Sequence, residues 1–363
     1  MRKRGRRKAK NAARRRKEQV AGERRAPISL VTGASGRLGR HLVPALLAMG
    51  ERVRVLHRRS EKPPSYPEGV EVVFGDITDR SSLEAAVADV DYVYHLAAIV
   101  SHSAPPEVLL EVNYEGTRNL LDACARKAYS LKRFIYVSSI SVYGKKPAAL
   151  PANEETPLNP SDWYGKTKAM AEEAVMQYAG RMPVVILRPA VIYGEGFDEA
   201  YLPVLAALEK GRMQIIGSGQ NVIPFVHVKD VVRALILASR AEKAPGNVYI
   251  IASPERMTQR DILRIACRSL GVPFPRSSVP VWVAMLRLML ANIMSALAGG
   301  KPKLLEEHLD TISANRYFDV SKAERELGFR ASVKLEDGIK EMVEYYRRKV
   351  VSHEDWKDRE IHQ

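Results

Sequence analysis

Residues 28–39 have the sequence ISLVTGASGRLG, and this stretch decides the fold class. Its first five residues form a β-rich run, and the apolar spacing from Leu38 to Met49 predicts a helix that ends near Gly50. Glycines between a strand and a helix let the backbone turn sharply, and the amino terminus of the helix then faces an anion. The spacing Gly-x-x-Gly-x-x-Gly in this context predicts a turn that holds the diphosphate of a dinucleotide.

The alternation of strand and helix continues along the chain. Further β-rich runs lie at 52–56, 70–74, 92–96, 134–138 and 184–187, and helical stretches lie between them at 81–88, 112–127 and 165–178. Alternating units of this kind with apolar strands predict an α/β fold, a Rossmann-type doubly wound parallel sheet with helices on both faces. Runs at 225–228 and 248–251, with a helix at 230–239 between them, are expected to add two strands to the sheet.

The regularity declines after Gly194, which predicts a division into two parts. We expect a dinucleotide-binding domain formed by residues 27–195 and 225–252. A smaller, discontinuous C-terminal substrate-binding region is expected from residues 196–224 and 253–349, followed by a C-terminal tail at 350–363. This arrangement places a substrate cleft over the carboxyl ends of the strands.

The positive charge of the chain is concentrated at its amino terminus. The net charge is +15 over 363 residues, and residues 1–26 hold thirteen Lys or Arg against two Glu, which gives +11. This segment has no aromatic residue and is predicted to be a disordered basic tail. Two alternatives stay open: the tail has no function, or it adheres to an anionic membrane or to nucleic acid without sequence specificity.

Two isolated cysteines, Cys124 and Cys267, indicate a reducing, cytoplasmic setting.

The candidate cofactor residues follow successive predicted strands. They are Gly33, Ser35, Gly36, Arg37, Leu38 and Gly39 in the glycine turn, Asp76 and Ile77 after the third strand, and Leu96, Ala97 and Ala98 after the fourth. The second strand ends at His57 and is followed by Arg58, where an NAD enzyme usually has an acidic residue for the ribose. Because a guanidinium fits a 2′-phosphate, Arg58 predicts NADP, with NAD as the alternative.

Tyr164 and Lys168 are four residues apart, so a helix places them on one face. We expect the nearby ammonium, together with the positive charge of a bound nicotinamide, to lower the pKa of the Tyr164 phenol. Ser139, at the end of the fifth strand, can hydrogen-bond the same substrate oxygen. This constellation predicts catalysis of proton transfer beside a hydride-exchanging carbon. The eight histidines have no ligand spacing, so no metal is expected.

This ordered series of motifs resembles the extended short-chain dehydrogenase/reductases of the NAD-dependent epimerase/dehydratase superfamily over residues 27–349. Further similar segments are 113–117, 187–194, 225–231 and 321–329. The resemblance implies that Pro189, in the segment 187–194, approaches the nicotinamide end of the cofactor. It also implies a homodimer.

Ile140 and Ser141 follow the active-site serine where dehydratases of this family carry an Asp-Glu pair, so dehydration is disfavoured. The apolar segment 279–297 resembles the substrate lid of the 3β-hydroxysteroid dehydrogenase-like and dihydroflavonol reductase-like branches. This resemblance implies interconversion of a secondary alcohol and a ketone on a bulky, mainly apolar small molecule. A sugar-nucleotide epimerase with tightly bound NAD is the alternative. A nucleotide sensor or scaffold tethered by the basic tail is a third, disfavoured by the intact Ser139, Tyr164 and Lys168.

Residues 279–297 form an apolar segment that contains Pro280 and Arg287. A central arginine costs about 2.5–3.5 kcal/mol in a spanning helix, so a transmembrane helix is disfavoured. We expect a buried lid over an apolar substrate. The alternative is a helix that lies on an anionic membrane together with residues 1–26, in a protein that is otherwise cytoplasmic.

Overall fold

Strands and helices alternate through the chain in the computed structural model, which describes residues 25–59, 62, 64–101, 104–297 and 313–361. The predicted disordered tail therefore lies outside the described residues up to position 24. The strands are β1 Ile28–Thr32, β2 Arg52–His57, β3 Glu71–Phe74, β4 Tyr92–His95, β5 Arg133–Val137, β6 Val184–Pro189, β7 Val191–Tyr193, β8 Ile215–Ile216, β9 Phe225–His227, β10 Asn247–Ile251 and β11 Ser278–Val279. The helices are α1 Gly39–Ala48, α2 Arg80–Val87, α3 Pro106–Leu109, α4 Gly116–Lys127, α5 Trp163–Gln177, α6 Asp198–Glu209, α7 Val228–Arg240, α8 Gln259–Leu270, α9 Val281–Leu297, α10 Ser321–Leu327 and α11 Leu335–Ile361.

Seven parallel strands form the main sheet in the order β10-β6-β5-β4-β1-β2-β3. The strand order reverses beside β1, whose last residue Thr32 pairs with Leu56 of β2 on one side and His95 of β4 on the other. Parallel strands align their carboxyl ends at one edge, and ligands bind where the order reverses. The predicted α/β, Rossmann-type fold is therefore confirmed.

Apolar side chains alternate along the strands and cover both faces of the sheet. Val31 packs in a cluster with residues of α1 and α7, whereas its neighbour Leu30 packs in a second cluster with residues of α2, α4 and α5. Such strands are buried on both faces, which explains why their sequences are apolar runs. A third, smaller cluster joins α6, α8 and α11 through residues such as Leu205, Leu263 and Ile339.

The strand β9 differs from the sequence-based expectation. Phe225–His227 does not join the main sheet but pairs with Val191–Tyr193 in a separate two-stranded sheet. The edge position beside β6 is taken by β10, whose Asn247 pairs with Val185. The prediction that residues 225–228 extend the main sheet was therefore wrong, although the strand itself exists.

Two helices also have bounds that the sequence did not predict. The expected helix over 112–127 is divided into a π-helical segment at Leu110–Glu115 and α4. The expected boundary between residues 349 and 350 falls inside α11, which continues to Ile361. The C-terminal tail of 350–363 is thus helical through residue 361.

Candidate active site

A cavity of about 460 Å³ opens at the carboxyl edge of the sheet. This volume lies in the usual range for small-molecule sites, roughly 300–1,000 Å³. Eleven predicted site residues line it: Gly33, Gly36, Arg37, Leu38, Gly39, Leu96, Ala98, Ser139, Tyr164, Lys168 and Pro189. The structure therefore brings the glycine turn, the ends of β4, β5 and β6, and the Tyr-Lys pair to one place.

The glycine turn is shaped by close backbone packing. Gly33 has a φ of +70°, and a Cβ atom there would meet the Ala97 nitrogen at 2.7 Å, so a larger residue does not fit. The Gly36 amide donates a hydrogen bond to the Gly33 carbonyl at 3.0 Å, which closes the turn. Helix α1 then begins without a side-chain hydrogen bond from Leu38, the residue before it. Helix amides left without a cap at a cavity fit the diphosphate of a dinucleotide.

Three other predicted cofactor residues do not line the cavity but support its walls. The Ala97 amide donates to Thr32 Oγ1 at 3.3 Å, which holds the end of β4 against β1. Ile77 is buried against Gly116, where an added Cβ would meet Ile77 Cδ1 at 2.8 Å. Ser35 lies in the turn itself, and its carbonyl accepts from Arg40 at 3.3 Å.

Arg58 and Asp76 lie farther along the same edge of the sheet. Arg58 is exposed directly after β2. Asp76 follows β3, and its Oδ1 accepts hydrogen bonds from the amide and the hydroxyl of Thr78, each at 2.9 Å. One oxygen of Asp76 therefore orders the turn after β3.

Helix α5 carries Tyr164 and Lys168, and a cap at its amino terminus fixes where the helix begins. The Asp162 carboxylate accepts a hydrogen bond from the Gly165 amide at 2.7 Å, the usual role of a residue just before a helix. Ser139 follows β5, and its hydroxyl donates to Ser141 Oγ at 3.0 Å. A hydrogen bond also joins Ser139 to the Tyr164 phenol. Two hydroxyl groups thus meet at one point of the cavity, where they can bind one oxygen atom and move a proton to it or from it.

The pKa of Tyr164 depends on the burial of its phenol. Burial raises the pKa of the phenol to about 12, and the hydrogen bond with Ser139 and the charge of Arg37 offset only part of this shift. At neutral pH the phenol is therefore a proton donor. The prediction that Lys168 and a bound nicotinamide together lower this pKa concerns the cofactor complex and stays a prediction.

Lys168 is almost fully buried, at 2% exposure. Its ammonium donates to the Val137 carbonyl at 2.6 Å and lies 4.3 Å from the centre of the Tyr136 ring. Burial lowers the pKa of Lys168 to about 7, and the Glu172 carboxylate opposes this shift. The chain thus holds a lysine whose charge changes near neutral pH, as is typical of functional sites.

Two buried polar networks lie next to the cavity, and one of them includes a residue of α5. Glu172 accepts from Arg188 of β6 at 2.6 Å, and the same guanidinium donates to the Tyr143 hydroxyl. On the other side, burial lowers the pKa of His95 to about 3, so its ring is neutral. That ring is fixed by Thr32 at 2.7 Å. The first network joins α5 to β6, and the second joins β4 to β1 beside the cavity.

The structure adds residues that the sequence did not single out. The cavity is also lined by Ser138, Ser161, Asp162, Phe197, Tyr201 and Arg316, among others. Asp162 had a detectable signal, since an Asp before a helical run is a typical cap. Phe197 and Tyr201 belong to the predicted substrate-binding region, where no motif distinguished them. Arg316 had no signal, because it is an isolated basic residue near the carboxyl end.

The segment 279–297 is not a buried lid. Helix α9 leaves Trp282 69% exposed and Met294 66% exposed, and none of its described side chains lines the cavity. Arg287 donates to the Gln214 side chain at 2.9 Å, and Leu288 is buried. Within the described ranges, no helix combines the length and apolar character needed to cross a bilayer. The expectation of a lid was therefore wrong.

Comparisons with known proteins agree with this geometry. The sequence profile of the NAD dependent epimerase/dehydratase family matches residues 29–252. Human short-chain dehydrogenase/reductase family 42E member 1 is 31% identical over 347 residues, which cover 88% of this chain and 86% of the relative. A 3-beta-hydroxysteroid dehydrogenase of Mycolicibacterium neoaurum is 28% identical, and the match covers 87% of this chain and 90% of the relative. The structure of a UDP-glucuronic acid 4-epimerase from Bacillus cereus in complex with NAD matches with a TM-score of 0.69 and 26% identity, covering 88% and 99%.

Proposed function

We propose that this chain, which belongs to the NAD dependent epimerase/dehydratase family within the short-chain dehydrogenase/reductases, interconverts a secondary alcohol and a ketone. The observation that carries this proposal is the meeting of Ser139, Tyr164 and Lys168 in the cavity that the glycine turn also lines. A proton donor beside a dinucleotide site is what hydride transfer to a carbonyl requires.

Each of these residues has one role in the proposed reduction. The bound nicotinamide cofactor supplies or accepts the hydride. Ser139 donates a hydrogen bond to the ketone oxygen and fixes its position beside the phenol. Tyr164, protonated at neutral pH because burial raises its pKa, gives its proton to that oxygen as negative charge develops there. Lys168, buried in the cavity wall on the same helix as Tyr164, would hold the cofactor beside the phenol.

The proposed substrate is bulky and mainly apolar. Val100, Ile140 and Ile192 line the cavity, and Phe197 adds an aromatic wall that carries the Arg37 guanidinium 5.6 Å above its ring. The bacterial relative named above as a 3-beta-hydroxysteroid dehydrogenase supports a rigid apolar skeleton. Steroid-like, flavonoid-like and acyl ketones all fit this description.

A screen of NADPH consumption over ketosteroids, 3-oxoacyl compounds and flavanones tests the proposal with the purified full-length protein. We expect turnover of one class, lost in Tyr164→Phe. Absence of turnover of every class, together with stoichiometric NAD released by denaturant, would overturn it.

The second candidate function is sugar-nucleotide epimerisation. The Bacillus cereus structure, an epimerase with bound NAD, covers 88% of this chain and supports this alternative. An epimerase returns the hydride to its substrate, so it keeps its NAD and shows no net redox change. Denatured protein that releases about one NAD per chain, and a holoenzyme that interconverts UDP-glucose and UDP-galactose, would favour this alternative.

Within the proposed reductase, we propose a preference for NADP. Support comes from Arg58, exposed beyond the end of β2 where the adenosine ribose is bound in related folds. Arg58→Ala is expected to weaken NADPH binding by roughly tenfold while leaving NADH binding unchanged. Arg52→Ala is the matched control, since Arg52 is exposed at the opposite end of the same strand. Tighter binding of NADH than NADPH by the unaltered protein would contradict the preference.

We also propose that α9 contacts an anionic membrane. Its large apolar side chains are exposed over several turns: Trp282, Leu286, Met289, Leu290, Ile293 and Met294. An apolar helical surface of this kind matches the acyl boundary of a bilayer. The charge of +11 in residues 1–26 complements anionic lipid, which favours lipid over a second protein as the partner.

Flotation with phosphatidylcholine vesicles, with and without phosphatidylserine, tests this contact in the full chain. The triple variant Trp282→Ser, Leu286→Ser, Met289→Ser should reduce partitioning at least tenfold, since each large apolar side chain contributes roughly 1.5–3 kcal/mol when buried. Tyr129→Ser is the control, because Tyr129 is an exposed aromatic residue elsewhere on the surface. Equal partitioning of the triple variant and the control would rule the contact out.

A further inference from the structure

Arg316 is a buried cation in the wall of the cavity. Its side chain lies with Ser161, Asp162 and Tyr164 among the lining residues, and the residue is only 5% exposed. Its Nε atom has no hydrogen-bond acceptor. No hydrogen bond or ion pair of this guanidinium is formed with any part of the chain that the structure describes.

Other buried arginines of the described chain donate to protein groups through at least one guanidinium nitrogen, although the Nε atoms of Arg54 and Arg133 also have no hydrogen-bond partner. Arg188 pairs with Glu172 at 2.6 Å, Arg54 donates to the Ala88 carbonyl at 2.7 Å, and Arg133 donates to the Ala241 carbonyl at 3.0 Å. Buried charges are normally paired in this way, because removing a charge from water without a partner is costly. Arg316 departs from this pattern in the wall of the cavity, where a ligand can supply the missing partner.

The nearest opposing charge is already engaged elsewhere. Asp162 raises the pKa of Arg316, but burial has the larger effect and lowers that pKa to about 10. The Asp162 carboxylate caps α5 through the Gly165 amide at 2.7 Å and forms no ion pair within 4.0 Å with Arg316. Arg316 therefore keeps a net positive charge that the protein leaves largely uncompensated.

The backbone around Arg316 is fixed from two sides. The Arg316 amide donates to the Val222 carbonyl at 3.0 Å, and the Val222 amide donates to Asn315 Oδ1 at 2.8 Å. One residue later, the Tyr317 carbonyl accepts from the Ala152 amide at 3.1 Å. This anchoring fixes the Arg316 backbone beside the cavity, and its side chain is already buried there, so little ordering is needed on binding.

We infer that Arg316 binds an anionic group of the substrate, a carboxylate or a phosphate, on the side of the cavity next to Tyr164. The inference rests on the proposed function, and it narrows the substrate to an apolar skeleton that carries one anionic group. A guanidinium matches the two oxygens of either group in a bidentate geometry. The diphosphate of the cofactor has its own site at the glycine turn and the start of α1.

The experiment uses the holoenzyme saturated with NADP and measures dissociation constants by calorimetry. The probes are 3β-hydroxy-5-cholenoic acid, its neutral methyl ester and UDP-glucuronic acid. The variants are Arg316→Leu and Arg316→Lys. Arg256→Leu is the matched control, because Arg256 is exposed, lies 4.2 Å from the neighbouring Tyr317 ring and does not line the cavity.

We expect the acid to bind at least tenfold more tightly than its ester in the unaltered protein and in Arg256→Leu. Arg316→Leu should abolish this preference, and Arg316→Lys should retain part of it. Binding of UDP-glucuronic acid but of neither steroid, again lost in Arg316→Leu, would support the anion site and overturn the proposed apolar substrate. If all three probes bind to Arg316→Leu as tightly as to the unaltered protein, the inference is overturned and the proposed function stays intact.

Two further readouts separate this role from others. NADP affinity should change less than twofold in Arg316→Leu, and an equal loss of cofactor and probe affinity would assign Arg316 to the cofactor instead. Without ligand, Arg316→Leu should melt at the same temperature or higher, because it removes an unpaired buried charge. A large decrease in melting temperature would indicate a structural arginine.

Discussion

Helices α5 and α9 distribute polar and apolar side chains in opposite ways. In α5 the charged Lys168 and Glu172 are buried, and in α9 the apolar Trp282 and Met294 are exposed. Both arrangements are unfavourable unless something compensates them. For α5 the compensation is present in the chain, as the Val137 carbonyl and the Arg188 guanidinium. For α9 the described residues provide none, which is why we propose a lipid surface.

The difference teaches where function can be inferred from a single chain. A buried charge with named partners identifies a site whose chemistry follows from those partners. An exposed apolar surface indicates only that a partner is missing, and charge elsewhere in the sequence must suggest which one. Substitutions in the two helices should therefore affect different properties: activity and stability for α5, and membrane partitioning for α9.

The largest effect is expected from Tyr164→Phe. Loss of the phenolic proton donor should reduce kcat/KM by about 10²–10⁴-fold, the usual contribution of general acid catalysis. NADPH consumption on the best ketone of the screen measures this loss, while fluorescence titration should show unchanged NADPH binding. Tyr201→Phe is the control, since Tyr201 also lines the cavity but its hydroxyl donates to the Ile192 carbonyl at 3.0 Å. Comparable losses in both variants would remove Tyr164 from its assigned role.

The second effect concerns the ion pair behind α5. Arg188→Met leaves the Glu172 carboxylate buried without its partner, which should lower the free energy of unfolding by about 3–5 kcal/mol. Urea denaturation followed by circular dichroism measures this change. The double variant Glu172→Leu, Arg188→Met should recover at least half of the loss, because it leaves no unpaired charge. A single variant that loses less than 1 kcal/mol would show that the pair does not hold the helix.

The third effect is a pH dependence that originates at Lys168. Its pKa is about 7 in the folded protein and near 10.5 when the chain is unfolded. Between these values the unfolded chain binds more protons, so the stability contributed by this group increases as pH rises from 7 towards 10.5 and is lost as pH falls to 7. Lys168→Met should remove an increase on the order of 3 kcal/mol between pH 7 and 9.5. The urea midpoints of the unaltered protein and of Lys168→Met at pH 7 and pH 9.5 measure this difference. The same pH dependence in both proteins would contradict the lowered pKa of Lys168.

Much of the fold was predictable, because the spacing of apolar residues and the positions of glycines are local properties of the sequence. The strand-turn-helix pattern at 28–39 and the alternation that follows it are enough to predict a doubly wound sheet. Residues 225–228 were predicted as a strand, but strand propensity cannot identify a partner strand. The competition between β9 and β10 for the edge beside β6 is decided by tertiary packing.

The same limit applies to the site. The motif residues Ser139, Tyr164 and Lys168 could be placed at one edge of the sheet, since parallel strands end there together. The raised pKa of Tyr164 could not be predicted, because it depends on how deeply the phenol is buried. Arg316 approaches the cavity from 152 residues along the chain after Tyr164, and nothing in its local sequence marks this contact. An apolar run such as 279–297 has the same composition whether protein or lipid covers it.

The smallest effect is expected from a single substitution in α9. Trp282 is 69% exposed, so Trp282→Ser removes little buried area and should change the free energy of unfolding by less than about 0.5 kcal/mol. Urea denaturation of the full chain in the absence of lipid measures this change. Leu288→Ser is the contrasting variant, since Leu288 of the same helix is only 7% exposed and its loss should cost roughly 2 kcal/mol or more. Equal destabilisation by both variants would mean that the exposed side of α9 packs against protein, and the proposed contact with lipid would then lose its structural basis.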